Sequence, residues 1–266
     1  MKITLFTGNQ PRHLRFANEL SKICDNLYII EECCTIFSGE IKDFYDNSNV
    51  MKEYFKHVRA SERNIFGKVS FLNKNIFQLA IKDGDLNYFS LDDLKPALNS
   101  DYYIVYGSSF IKNELADFLI SHNAINIHLG ISPYYRGNSC NFWALYNHHP
   151  EFVGATIMKL SYELDSGLVM FHCFPKPKKC NGFDLGMSAV KAAQDAIVSK
   201  IKDNSIFSIK PYNTQNNNNK DCYYYRKKDF TDSVAKKYLN SMLSEEEIYY
   251  ALSNRKLDLF INPVFF

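Results

Sequence analysis

Asn126 and His128 stand two residues apart at the end of a short apolar run, Ala124 to His128. The run reads as a β-strand, so the two side chains should leave it on one face and present an amide and an imidazole together. The stretch continues to residue 137 as Asn-Ile-His-Leu-Gly-Ile-Ser-Pro-Tyr-Tyr-Arg-Gly, and Gly130, Pro133 and Gly137 make it a turn-rich loop that lets backbone and ligand approach closely. Acyl transfer to an amine needs donors aimed at the oxygen that turns negative, and an acceptor for the proton the amine loses. Asn126 and His128 can donate. Asp165, in the later Asp-Ser-Gly of residues 165 to 167, is the acid that can hold the imidazole or relay the proton. No covalent enzyme intermediate is required, because the amine is itself the nucleophile.

Two other segments carry possible chemistry. Gly8-Asn9-Gln10-Pro11-Arg12-His13 lies between a predicted strand and helix, where free N–H groups and the helix dipole favour an anion and Arg12 can add donors. It reads equally as a plain helix start, and it is not a GxGxxG dinucleotide loop. Tyr223 to Lys227 can stack on a nucleobase and meet phosphate, or can be a strand with one wet face. His57, His122, His148, His149 and His172 have no partner pattern and read as surface or packing residues. His172 and Cys173, adjacent on a strand, point to opposite faces, and the seven cysteines show no CxxC spacing, so no metal is expected.

The elements that must position these groups alternate. Ile3 to Thr7, Leu27 to Ile30, Tyr88 to Leu91, Tyr103 to Tyr106 and Ala124 to His128 read as strands; Leu14 to Ile23 and Ile111 to Ile120 have helical spacing. Asp43 to Leu79 reads as mostly helical. Such alternation implies an α/β fold with a doubly wound, mostly parallel sheet, with ligands beyond the carboxyl ends of its strands. Gly154 to Leu160 and Leu168 to Phe174 read as a strand pair whose connecting loop carries Asp165, and Phe183 to Ile201 as an amphipathic helix. The polar run Asn213 to Lys220 marks a boundary between a domain of residues 1–205 and a small C-terminal appendage, 206–266. That appendage, expected as a β-hairpin plus short helices, holds the aromatic and basic cluster, helical patterns at Val234 to Met242 and Glu245 to Leu252, and an apolar end at Phe265 and Phe266.

The chain has 266 residues, 46% hydrophobic and 23% charged, enough for a sizeable core. A net charge of +2 gives no broad footprint for a nucleic acid. No run approaches the ~18 apolar residues that span a bilayer, and no leader is evident at Met1. A reduced, cytoplasmic protein without membrane attachment is expected.

The Asn-x-His element, the Pro-Tyr-Tyr-Arg-Gly loop and the later Asp-Ser-Gly resemble the folate-dependent formyltransferases over roughly residues 1 to 200. The resemblance implies a Rossmann-like formyltransferase fold, 10-formyltetrahydrofolate as co-substrate, and catalytic roles for Asn126, His128 and Asp165. It places Tyr106, Gly107, Ser108, Ser109, Gly130 and Gly167 on the folate side, and Gly8, Asn9, Arg12, His13, Pro133 and Arg136 on the substrate side. Methionyl-tRNA enzymes of this family usually carry a large tRNA-holding C-terminal domain and a Ser-Leu-Leu-Pro loop; here Leu-Gly-Ile-Ser-Pro stands at 129 to 133 before a short tail. The resemblance therefore points to a nucleotide-linked amino sugar for surface polysaccharide as acceptor, with a homodimer as a possible assembly. A methionyl-tRNA formyltransferase and a non-catalytic folate or nucleotide module are the alternatives.

Overall fold

The computed structural model describes residues 1–213 and 222–266. Most of the Asn213 to Lys220 boundary expected from composition lies outside them. The first half winds as β1 (Lys2–Gly8), α1 (Pro11–Ser21), β2 (Asn26–Cys33), α2 (Asn49–Phe66), β3 (Ile76–Lys82), β4 (Tyr102–Tyr106), α3 (Asn113–Ser121) and β5 (Ile125–His128). The second half adds β6 (Tyr135–Gly137), α4 (Cys140–Tyr146), β7 (Ala155–Lys159), β8 (Val169–Phe174) and α5 (Gly182–Lys202). It ends with β9 (Tyr223–Tyr225), α6 (Asp232–Asn240), α7 (Glu245–Ser253) and β10 (Val264–Phe265).

Eight strands form one sheet in the order β10-β8-β7-β5-β4-β1-β2-β3. β7 is antiparallel to both β5 and β8, and every other pairing is parallel, so β7 alone runs against the rest. Central strands of such a sheet are covered on both faces and carry near-continuous apolar runs. Ile3, Leu5, Ile29, Ile104 and Ile127 pack on one face with Phe16 and Leu20 of α1 and Ala193 and Ile197 of α5. Phe6, Ile30, Tyr103 and Val105 pack on the other with Leu115 and Leu119 of α3.

The weak strand expected at Tyr88 to Leu91 is absent: residues 86–88 form a 3-10 turn, and the third strand is β3. Its sequence, Ile-Phe-Gln-Leu-Ala-Ile-Lys, has apolar residues at helical as well as alternating spacing, which drew it into the helical reading of Asp43 to Leu79. Helix α2 does occupy the middle of that region, started by Ser48, whose hydroxyl accepts from the Met51 N–H at 3.1 Å.

Residues beyond 205 are built into the same body. Val264 and Phe265 pair with Cys173 and Phe174 of β8, while Phe230, Ala235, Tyr238, Ile248 and Leu252 join Tyr54, Trp143 and Leu185 in a second core. In place of the β-hairpin expected beyond residue 205, β9 lies parallel to the distant β6 in a separate two-stranded sheet, pairing Tyr135 with Tyr223, Arg136 with Tyr224 and Gly137 with Tyr225.

Candidate active site

Strand order reverses between β4 and β1, where an open α/β sheet splits its crossovers and leaves a crevice beyond the strand ends. A cavity of about 910 Å³ lies there, lined by residues that follow β1 (Arg12, His13), β4 (Gly107, Ser108, Ser109) and β5 (Leu129), together with Asn126, His128 and Asp165. The three groups singled out by type and spacing thus face one space.

His128 is buried, with both ring nitrogens on acceptors: Nδ1 is 3.1 Å from Oδ1 of Asp165, and Nε2 is 3.1 Å from the Tyr135 carbonyl. Two acceptors ask for two N–H donors, so the geometry suits an imidazolium. Burial opposes that charge, but the adjoining Cys140 sulfur and the Asp165 carboxylate outweigh it, and the pKa stands well above the ordinary histidine value. Burial likewise works against charge on Asp165; its bond from His128 and the Gly137 N–H, which donates to Oδ2 at 2.9 Å, hold its pKa below the usual carboxylate range. The Asn126 amide makes no hydrogen bond to another described residue and lines the cavity beside them.

The loop after β5 is fastened from below. The Thr156 hydroxyl, fully buried on β7 opposite His128, donates to the Gly130 carbonyl at 2.6 Å and accepts from the Ser132 N–H at 2.9 Å. Gly130 itself does not line the cavity: a Cβ there would lie 2.4 Å from Cys140 Cβ and 2.7 Å from Nε2 of His128, so its missing side chain makes room for the imidazole. Pro133 does not line the cavity either. Arg136 also stands outside it and donates to the Leu164 carbonyl at 2.9 Å, bracing the turn that presents Asp165. Gly167 closes that turn against the Lys159 carbonyl.

On the folate side expected from resemblance, Tyr106, Gly107, Ser108 and Ser109 do line the cavity. Ser109 is clamped by Glu32, a buried acid at the end of β2 that accepts from the Ser109 hydroxyl at 2.8 Å and the Gly84 N–H at 2.9 Å.

The first loop differs from the anion site its sequence suggests. Arg12 and His13 line the cavity, but the start of α1 already has its anion: Glu62 of α2, whose Oε1 accepts from Arg12 at 2.7 Å through the guanidinium and 3.3 Å through the backbone N–H. A phosphate here would meet that carboxylate. Burial and the nearby Arg12 charge push the His13 pKa well below its ordinary value, leaving a neutral ring packed edge-on against Tyr106. Asn9 is outside the cavity, donating to the Cys34 carbonyl at 2.8 Å and accepting from the Cys34 N–H, and Gly8 packs against the His13 ring. Residue type alone does not single out Glu62. Its signal in the sequence is an acid on the apolar stripe of α2 with Met51, Tyr54 and Val58.

Among the described residues no group of three His, Cys, Asp or Glu side chains is placed to hold a metal ion. No described helix is long and apolar enough to cross a membrane.

No protein-family model matches the chain, and no curated protein matches it in sequence. Solved structures do. A 4-N formyltransferase from Francisella tularensis aligns with TM-score 0.50 and 19% identity over 99% of this chain and 91% of its own. An N-formyltransferase from Helicobacter canadensis, solved with folinic acid and dTDP-3-aminofucose, aligns with TM-score 0.51 and 13% identity over 99% and 84%. The chain has the formyltransferase fold. A phosphoribosylglycinamide formyltransferase from Anaplasma phagocytophilum shares that fold with TM-score 0.50 and 13% identity over 85% of this chain and 98% of its own.

Proposed function

We propose that the protein is an N-formyltransferase that moves the formyl group of 10-formyltetrahydrofolate to the amine of a nucleotide-linked amino sugar. The observation that carries the reading is the buried His128–Asp165 ion pair beside the Asn126 amide, all three on one cavity. The amine attacks the formyl carbon, and the carbonyl oxygen takes the charge. Asn126 donates to that oxygen and the imidazolium of His128 stabilises it, in a buried site where such charges act strongly. Asp165 accepts the proton the amine sheds. The bond from carbon to N10 of the folate breaks, N10 takes that proton, and tetrahydrofolate and a formamido sugar leave.

The cavity is large enough for parts of two substrates. The donor assignment draws support from the Helicobacter neighbour solved with folinic acid. The acceptor assignment draws support from the same Helicobacter neighbour, solved with dTDP-3-aminofucose and aligned with 99% of the chain. In this reading residues 1–205 carry the reacting groups and 206–266 wall the acceptor side. All seven cysteines are free, as befits a reducing cytoplasm.

The test is incubation with 10-formyltetrahydrofolate and a panel of dTDP-, UDP- and GDP-linked 3- and 4-amino sugars, following tetrahydrofolate release and the formylated product by mass spectrometry. Turnover with at least one sugar is expected; folate release matched to no sugar product would discard the acceptor.

A further inference from the structure

We infer that Tyr224, Arg226 and Lys227 form the subsite for the nucleoside diphosphate of the acceptor; its assignment to an acceptor rests on the formyl-transfer reading. All three line the cavity. The argument begins with charge. A diphosphate needs cations, and most of those around this cavity are spent on carboxylates: Arg12 on Glu62 at 2.7 Å, Arg59 on Glu40 at 3.2 Å and His128 on Asp165 at 3.1 Å. His13 is neutral. Arg226 and Lys227 remain, the lining cations that no acid among the described residues pairs. The carboxylate nearest in sequence, Asp229, is engaged by the backbone N–H of Arg226 at 2.6 Å, and the Lys227 ammonium rests 4.1 Å from the centre of the Phe44 ring. A guanidinium fork and an ammonium on adjacent residues match the oxygens of two linked phosphates.

Position follows from the β6–β9 pairing. Gly137 donates its N–H to the catalytic carboxylate and pairs in register with Tyr225, while the Asn138 N–H donates to the Tyr225 carbonyl at 2.8 Å. The Tyr225 ring is stacked on Trp143, centroids 3.9 Å apart and planes at 5°. The strip is thereby fixed to the loop that carries the chemistry. Alternation along β9 turns Tyr224 opposite to Tyr223 and Tyr225; it is 54% exposed and offers an aromatic face beside the two cations. A base can stack there while the diphosphate meets Arg226 and Lys227 and the sugar reaches toward Asn126.

Titration calorimetry with UDP, dTDP and GDP, without folate, tests the subsite directly. At least one should bind the full chain, and Arg226→Ala/Lys227→Ala should weaken it by about tenfold or more. Affinity should fall with added salt in the natural chain and much less so in the double variant. Tyr224→Ala should weaken binding, and Tyr224→Phe should retain it. Circular dichroism verifies folding of these exposed-site variants. No binding of any of the three nucleotides, or equal affinity in the folded double variant, overturns the proposal. Folinic acid titrated separately tells the two readings apart: if it fails to bind while the nucleotide binds through these residues, formyl transfer falls and the subsite stands.

Discussion

Replacing Asp165 by asparagine preserves the shape of the site and removes one charge. The carboxylate serves two donors with two oxygens, Nδ1 of His128 at 3.1 Å and the Gly137 N–H at 2.9 Å. An amide has one oxygen, so one bond is lost and an NH2 group is left facing a donor. The side chains of His128 and Asp165 are only 7% and 6% exposed, so the solvent screening that weakens surface ion pairs is largely missing. Losing one charged hydrogen bond should cost about 1.5–3 kcal/mol of folding stability. With the imidazolium no longer held beside the developing oxyanion, kcat should fall by about 10²–10³-fold at neutral pH. The pH dependence has a sign. His128, raised in the fold, contributes stability that is full below its unfolded pKa of about 6.5 and is lost as pH rises through the raised value. Asp165, lowered in the fold, contributes above its unfolded pKa of about 3.9 and loses it as pH falls through the lowered value. The stability gap between natural chain and variant should therefore be widest from about pH 4 to 6.5 and shrink in alkali. Urea denaturation across that range, with tetrahydrofolate release measured as a function of pH, reads both effects. A variant with the natural rate and an unchanged pH profile would refute the ion-pair mechanism.

Asn126→Ala should lower kcat by about 10²–10³-fold with little change in stability, because its amide bonds no other described residue; kinetics paired with urea melts separates the two. Thr156→Val leaves the Gly130 carbonyl and the Ser132 N–H without their partner and should cost about 1–3 kcal/mol for each group left unsatisfied, read from the shift of the urea midpoint. Gly137→Ala would put a Cβ 2.1 Å from the Tyr225 carbonyl at a residue with φ near 91°, so β9 should detach from β6. Hydrogen exchange at the Asn138 N–H should then accelerate, and turnover should drop through the lost Gly137 bond to Asp165.

What was readable in the sequence was local. Two-residue spacing on a strand fixed the shared face of Asn126 and His128, and the strand pair around residue 165 placed the acid on a loop. Pairings between distant segments were not readable. Arg12 looked like a free cation because Glu62, which neutralises it, lies on another helix. β3 was hidden because a short apolar run fits both periods, and because its solvent-exposed position at the sheet edge leaves Phe77 and Leu79 without the burial pattern that marks a core strand. β10, two residues long, is too short to carry any period.

The parallel pairing of β9 with β6 joins segments from the middle and the late part of the chain, and β10 does the same for β8. Such distant contacts close slowly, since a large loop must be ordered before either strand finds its neighbour. During synthesis the sheet without β10, and the His128 loop, can therefore form while one wall of the cavity has yet to emerge from the ribosome. Under the proposed function, a nascent chain at that stage would already carry its reacting groups but would lack the surface that selects what they act upon.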